Sequence, residues 1–207
     1  MHPALRHLGQ WAHPYARFRG PAAGPTCYLT FDDGPTPGVT YWVLEALAHA
    51  DARATFFCQG LQAAAHPALV RALQQAGHAV GHHSYSHPDG WRTPWRAYWA
   101  DCQRGKTAVE DALGAATCGF RPPYGHLPLG RVAALRGLGP VWLWDVLTHD
   151  YRPDFRLAHQ LPRILGATGP GSILVCHDSH TAEAQLRQLL PPLLAELSAR
   201  GYRFATL

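Results

Sequence analysis

The chain has 207 residues, 47% of them hydrophobic, which is enough for the core of one domain. Its formal net charge is +4, Lys106 is its single lysine, and no clustered basic run is present, which excludes a nucleic-acid-binding face read from charge. The five cysteines, Cys27, Cys58, Cys102, Cys118 and Cys176, include no C-x-x-C pair; this argues against a cysteine metal site or a disulfide framework and for small buried apolar residues.

Residues 1–24 are polar, rich in Pro, His and Arg, and read as an N-terminal extension. They hold no apolar run of signal-peptide length, and no later run reaches transmembrane length. As it stands the sequence reads as cytoplasmic and without a membrane anchor; it carries no mark of oligomeric state. A first strand is predicted at 27–31, followed by others at 54–57, 79–82, 118–121, 140–145, 172–176 and 203–206. Helices are predicted between them at 38–50, 67–76, 94–113, 127–137, 157–166 and 181–200. Pro67 suits a first helical turn, and Gly77 a helix end. Pro191-Pro192 predicts a break or restart within the last helix. Strands alternating with helices predict an α/β fold of parallel βα units, a distorted (β/α) barrel of about seven parallel strands in one domain, 25–207.

Two motifs carry the chemistry. The run Tyr28-Leu-Thr-Phe-Asp-Asp-Gly-Pro35 ends an apolar strand on two adjacent acids. Packing gives no reason for them. On an extended chain they would face opposite ways, but Gly34 and Pro35 predict a turn that aims both into one cleft, where one binds a cation and the other moves a proton. An ordinary turn with solvated acids is the alternative. Further on, His83 and His87 stand four apart in Gly81-His82-His83-Ser84-Tyr85-Ser86-His87-Pro88, a spacing that one helical turn would bring to one side. Two imidazoles and a carboxylate form the open ligand set of a catalytic zinc; the same set also suits cobalt, nickel or iron. If 81–83 is extended, His82 and His83 point apart and only one is a ligand.

Thr30-Phe31-Asp32-Asp33-Gly34 and His83-Ser84-x-x-His87 resemble the first two motifs of the polysaccharide deacetylase family, also called NodB-homology or carbohydrate esterase family 4. Phe120-Arg121-Pro122-Pro123-Tyr124-Gly125, Trp144-Asp145-Val146-Leu147-Thr148-His149-Asp150-Tyr151 and Ser172-Ile173-Leu174-Val175-Cys176-His177-Asp178 resemble the third, fourth and fifth, in order. All five lie at the C-terminal ends of predicted strands, where βα barrels place their active sites. The resemblance implies a metal-dependent hydrolase that removes acetyl groups from N-acetylated sugars. It implies Asp33, His83 and His87 as metal ligands, Asp32 as general base and His177 as general acid. It implies Arg121 as the partner that orients Asp32, and the Tyr124 backbone N–H as donor to the oxyanion. Pro123 and Trp144 are implied beside the substrate, and Val175 at the pocket for the acetyl methyl. It also implies work on cell-envelope or extracellular polymers, at odds with the leaderless N-terminus.

Two departures stand out. Many family members carry an acid where this chain has Leu147, and that acid pairs with the general-acid histidine. Asp145 and Asp150 are the two candidates to replace it. His82 stands where Asn is common. Among the aromatic residues, Trp91, Trp95, Trp99, Trp142 and Trp144 are candidate sugar-stacking surfaces, with Trp95 and Trp99 at core spacing; His78, His126, His149 and His180 read as surface or loop residues. An O-acetyl esterase acting on xylan-type polymers, and a non-catalytic carbohydrate-binding protein, are the competing readings.

Overall fold

A computed structural model describes residues 15–22, 24–128 and 130–207; of the extension expected over 1–24, residues 1–14 and 23 therefore lie outside the described residues. The strands are β1 (Ala16–Arg17), β2 (Thr26–Asp32), β3 (Ala54–Cys58), β4 (Ala79–His82), β5 (Val141–Trp142), β6 (Val146–Leu147), β7 (Ile173–His177) and β8 (Arg203–Phe204). The helices are α1 (Val39–His49), α2 (Gly60–Ala65), α3 (Pro67–Gln75), α4 (Trp95–Leu113), α5 (Leu157–Ala167) and α6 (Glu183–Ala199), with 3₁₀ turns at Pro123–Gly125 and Val132–Leu138.

The sheet runs β4-β3-β2-β7-β6 with β8 beside β2, and every pairing is parallel. Beyond β4 the sheet continues through single parallel bridges, His82 to Phe120 and Phe120 to Val141. The result is the expected α/β architecture with a parallel sheet; among the described residues its ladders and bridges do not close the expected barrel. Residues 15–22 are tied to this body: β1 pairs with β5, and Arg19 is ion-paired with Asp145.

Burial follows the alternation of the strands. β2 is buried along its whole length, as a central parallel strand covered on both faces must be. Cys27, Leu29 and Phe31 face the core shared with α1, α3 and α6. Tyr28 turns the other way, into a cluster with Phe57, Trp142 and Ile173. Thr30 and Asp32 follow Tyr28 at the two-residue period. Register then fixes the level of the chemistry, because Asp32 lies opposite His177 on the neighbouring strand.

Five elements depart from the sequence expectation. The strand expected at 140–145 is regular only as β5, with β6 starting just beyond it; in the split between them the Asp145 carboxylate accepts the Ile173 N–H at 2.8 Å and the Ser172 hydroxyl at 2.9 Å. A side chain there stands in for a ladder carbonyl. The strand expected at 118–121 is reduced to the bridges of Phe120; Gly119 has φ 147°, and a Cβ there would lie 2.4 Å from the Pro140 carbonyl. The helix expected at 127–137 is the 3₁₀ segment Val132–Leu138, and α2 is a short helix the periodicity did not mark. Finally, α6 runs unbroken through Pro191 and Pro192. Leu186, Leu189, Leu190, Leu193, Leu194 and Leu197 are all buried along it. At about 1.5–3 kcal/mol each, that burial outweighs a helix-interior proline cost of about 3 kcal/mol.

Candidate active site

The apolar run of β2 ends on Asp32, which stays in the strand and is 3% exposed. Its Oδ1 accepts a hydrogen bond from Arg121 Nη1 at 2.8 Å. Arg121 is fully buried and makes three further bonds: Nη1 also reaches Thr30 Oγ1 at 2.6 Å, Nη2 the Leu143 carbonyl at 3.2 Å, and Nε the Trp142 carbonyl at 3.4 Å. Its guanidinium lies 4.1 Å from the centre of the Phe57 ring. A buried charge needs partners of this kind, and the result is a carboxylate held in one orientation.

Asp33 leaves the strand at φ 78°, a left-handed conformation that Asp tolerates better than most residues. The expected turn therefore exists, and both acids line one cleft. The turn is clamped by Asp178, buried beneath it, which accepts the Gly34 N–H at 3.1 Å and the Thr40 hydroxyl at 2.6 Å. A Cβ on Gly34 would meet Asp178 Oδ2 at 2.1 Å. Burial pushes the Asp178 carboxyl up to about 7.

His83 and His87 are brought together differently from the helical turn that their spacing suggested. Both lie in a loop after β4 in which Ser84 (φ 62°) and His87 (φ 63°) are left-handed, and the His87 N–H donates to Ser84 Oγ at 3.1 Å. His83 Nδ1 lies 2.7 Å from the Arg121 carbonyl. A carbonyl only accepts, so Nδ1 carries the proton and Nε2 keeps its lone pair toward the cleft. Asp33 Oδ1 is 3.8 Å from His83 Nε2 and 3.4 Å from His87 Nε2, and the three ligand atoms all lie within 4.8 Å of one another. One carboxylate oxygen and two imidazole nitrogens around a common point fit a divalent metal of the zinc type. Burial alone would raise the Asp33 carboxyl, but the neighbouring imidazoles of His83, His177 and His87 and a 3.0 Å bond from Gln59 hold it below the usual range. Burial, with His83 beside it, pushes the His87 imidazole down to about 4, which leaves it neutral and able to ligate. His82 is excluded as a ligand: it is buried, stacks on Phe120 and donates from Nε2 to the Leu138 carbonyl at 3.1 Å.

Across the cleft, His177 Nδ1 is 2.7 Å from Asp150 Oδ1, and the His177 backbone N–H donates to Asp150 Oδ2 at 2.8 Å. Asp150 is itself buried and accepts from the Thr148 hydroxyl at 3.0 Å. Burial alone would lower the His177 pKa, but the bond and charge of Asp150, with Asp32 and Asp33 behind them, raise it to about 9. Of the two acids considered for this position, Asp145 does not take it. Its carboxylate is committed to Arg19, Ser172 and the Ile173 N–H. The reason is the split between β5 and β6, which turns residue 145 toward the base of β7 and leaves Asp150 beside the strand end.

Around these groups is a cleft of about 680 Å³, with Tyr124, Trp144, Leu147, Tyr151, His126 and His180 on its walls. Tyr124, 58% exposed with φ 60°, sits in the 3₁₀ turn Pro123–Gly125 and packs its ring 4.5 Å from that of His87. Two residues expected at the substrate are not on the walls. Val175 and Pro123 are buried beneath them, Val175 paired in register with Leu147. Leu147 and Tyr151 supply the apolar wall instead, Tyr151 edge-on to His177 at 5.0 Å. Gln59 and Asp178 escaped the sequence reading. The one signal for Asp178 was an acid directly after His177; Gln59 left none. Of the histidines read as surface or loop, His126 and His180 line the cleft, while His78 is buried and accepts the Ala54 N–H at 3.2 Å.

Comparison with known proteins agrees with this geometry. Peptidoglycan-N-acetylglucosamine deacetylase PgdA of Listeria monocytogenes is 34% identical over 180 residues, which cover 86% of this chain and 37% of that protein. The chain thus spans little more than a third of that relative's length. Chitooligosaccharide deacetylase of Azorhizobium caulinodans is 32% identical over 84% of this chain and 89% of its own. Among solved structures, the Bc1960 peptidoglycan N-acetylglucosamine deacetylase superposes with a TM-score of 0.86 at 28% identity, covering 96% of this chain and 94% of that one. A family model described as polysaccharide deacetylase matches residues 19–139. The chain belongs to the polysaccharide deacetylase family.

Proposed function

We propose that the chain is a metal-dependent hydrolase that removes acetyl groups from N-acetylated sugars, the N-acetylglucosamine units of chitin-type or peptidoglycan-type glycans, and releases acetate. One observation carries the reading: a carboxylate fixed by a buried arginine, an Asp-His-His ligand set and a carboxylate-backed histidine converge on a single cleft. We take 25–207 as the catalytic domain, with β1 as part of its scaffold.

Asp33, His83 and His87 would hold the metal, with zinc favoured by the donor set. When bound, it supplies a Lewis acid and lowers the pKa of water. Asp32, held by Arg121, accepts the proton of the water that attacks the acetyl carbonyl. The Tyr124 N–H, presented by the left-handed turn, is the proposed oxyanion donor, a contribution of about 3–4 kcal/mol for a preorganised group. His177 donates a proton from Nε2 to the leaving nitrogen, and Asp150 steadies the imidazolium from the Nδ1 side. The amide C–N bond breaks, and the products are acetate and a free amine. Leu147, Trp144 and Tyr151 shape the apolar wall for the acetyl methyl. The test is acetate release from N-acetylglucosamine oligosaccharides by metal-stripped protein reloaded with zinc. Release that depends on zinc supports the reading, and its absence in metal-loaded protein overturns it.

A further inference from the structure

Beside the cleft lies an aromatic surface that this chemistry does not use. Trp91 is 63% exposed, more than any other large apolar side chain among the described residues. It contributes little to the core, yet it is firmly held. Its ring stacks on the His126 imidazole, with centroids 3.6 Å apart and planes within 5°. Its Nε1–H donates to the Leu127 carbonyl at 3.0 Å, and its backbone N–H donates to Asp89 at 2.8 Å. Asp89 also bonds His126 Nδ1 at 2.8 Å, so one carboxylate fixes both halves of the stack. With one face covered by His126 and the indole so exposed, the other face is open to solvent. Trp95 and Trp99 behave otherwise: their rings lie 5.4 Å apart, tilted by 32°, and pack against the core with Tyr98.

Position gives the platform its meaning. His126 is itself on the wall of the cleft. From the ligand His87 the rings step outward, 4.5 Å to Tyr124 and 5.6 Å onward to His126, and Trp91 ends the series. A rigid indole face with its N–H already committed offers no polar readout. It offers a flat apolar surface, and the C–H face of a pyranose matches it, leaving the hydroxyls in water. Because the ring is already fixed, binding orders little that was free.

We propose that Trp91 and His126 form a stacking subsite for a sugar ring covalently linked to the one whose acetyl group is removed, so that the site selects oligomers over single sugars. The proposal rests on the deacetylase reading for the identity of the reacting sugar. Its test compares kcat/KM for the N-acetylglucosamine tetrasaccharide with that for p-nitrophenyl acetate, an ester too small to span both places. In Trp91→Ala the ratio of the two is expected to fall about tenfold, chiefly through KM for the tetrasaccharide. Trp91→Phe, which keeps a stacking face, is expected to hold most of the ratio. Zinc content equal to wild type shows that the loop carrying His87 is intact. An equal fall on both substrates, or no change in the ratio, overturns the subsite. If wild type releases acetate from neither substrate, the deacetylase reading has failed, and calorimetric titration with the tetrasaccharide decides the subsite separately. Affinity about tenfold weaker in Trp91→Ala supports it, whereas equal affinity, or no binding to either protein, overturns it.

Discussion

The choice between Asp145 and Asp150 shows how much of the site is decided by single side chains. Both acids lie in one motif, and both were compatible with the sequence. Asp150 takes the place beside His177 because the chain breaks its strand at 143–145 and turns residue 145 toward Ser172. A pattern of residue types does not contain that direction, since it depends on a hydrogen bond from a strand not adjacent in sequence. The His177–Asp150 pair predicts that Asp150→Asn lowers kcat for acetate release by about 10²-fold. In metal-free protein, the His177 pKa measured by NMR should stand near 9 in wild type and fall in the variant. An unchanged His177 pKa in Asp150→Asn would refute the pairing. By contrast, the grouping of Asp33, His83 and His87 was legible in advance, because a candidate ligand set is defined by residue type more than by orientation. Gln59 and Asp178, which position Asp33 and Gly34, were not, since amide and acid side chains of that kind are ordinary in loops.

At the scale of elements, His83 and His87 do come together, but not by the helical turn that their spacing suggested. A loop with two left-handed residues brings them together, and nothing in the composition of 83–87 distinguishes that loop from a helical turn. The prolines of α6 misled in the opposite sense. Local propensity predicted a break, but six buried leucines hold the helix straight through it. Pro191 is exposed, so replacing it fills no space and adds back a backbone donor. Pro191→Ala is therefore expected to stabilise the protein by about 1–3 kcal/mol in urea unfolding. Destabilisation would mean that the helix is shaped around the proline rather than in spite of it.

At the scale of the whole molecule, the alternation of strands and helices was enough to expect a parallel barrel with its chemistry at one end. Register completes this, setting Asp32 level with His177 across adjacent strands. What stayed hidden is the distortion: two strands reduced to bridges or fragments, where glycine and side-chain bonds replace the ladder. The same clustering of acids ties stability to pH. The His177 pKa is raised on folding from an ordinary value near 6.5 to about 9. Its contribution to the stability of metal-free protein is thus complete below about pH 6.5 and is lost as pH rises through about 9. Denaturant unfolding of metal-free protein across that window should show the decline, and Asp150→Asn should flatten it.

The central claim is that these groups form a metal-dependent deacetylase. Its most direct test is acetate release from the N-acetylglucosamine tetrasaccharide by protein stripped of metal and reloaded with zinc, beside Asp32→Asn and His83→Ala. The expected result is release that requires zinc, with Asp32→Asn reduced by about 10²–10⁴-fold while still binding zinc, and His83→Ala losing both zinc and activity. Full activity after stripping, or undiminished activity in Asp32→Asn, would contradict the account.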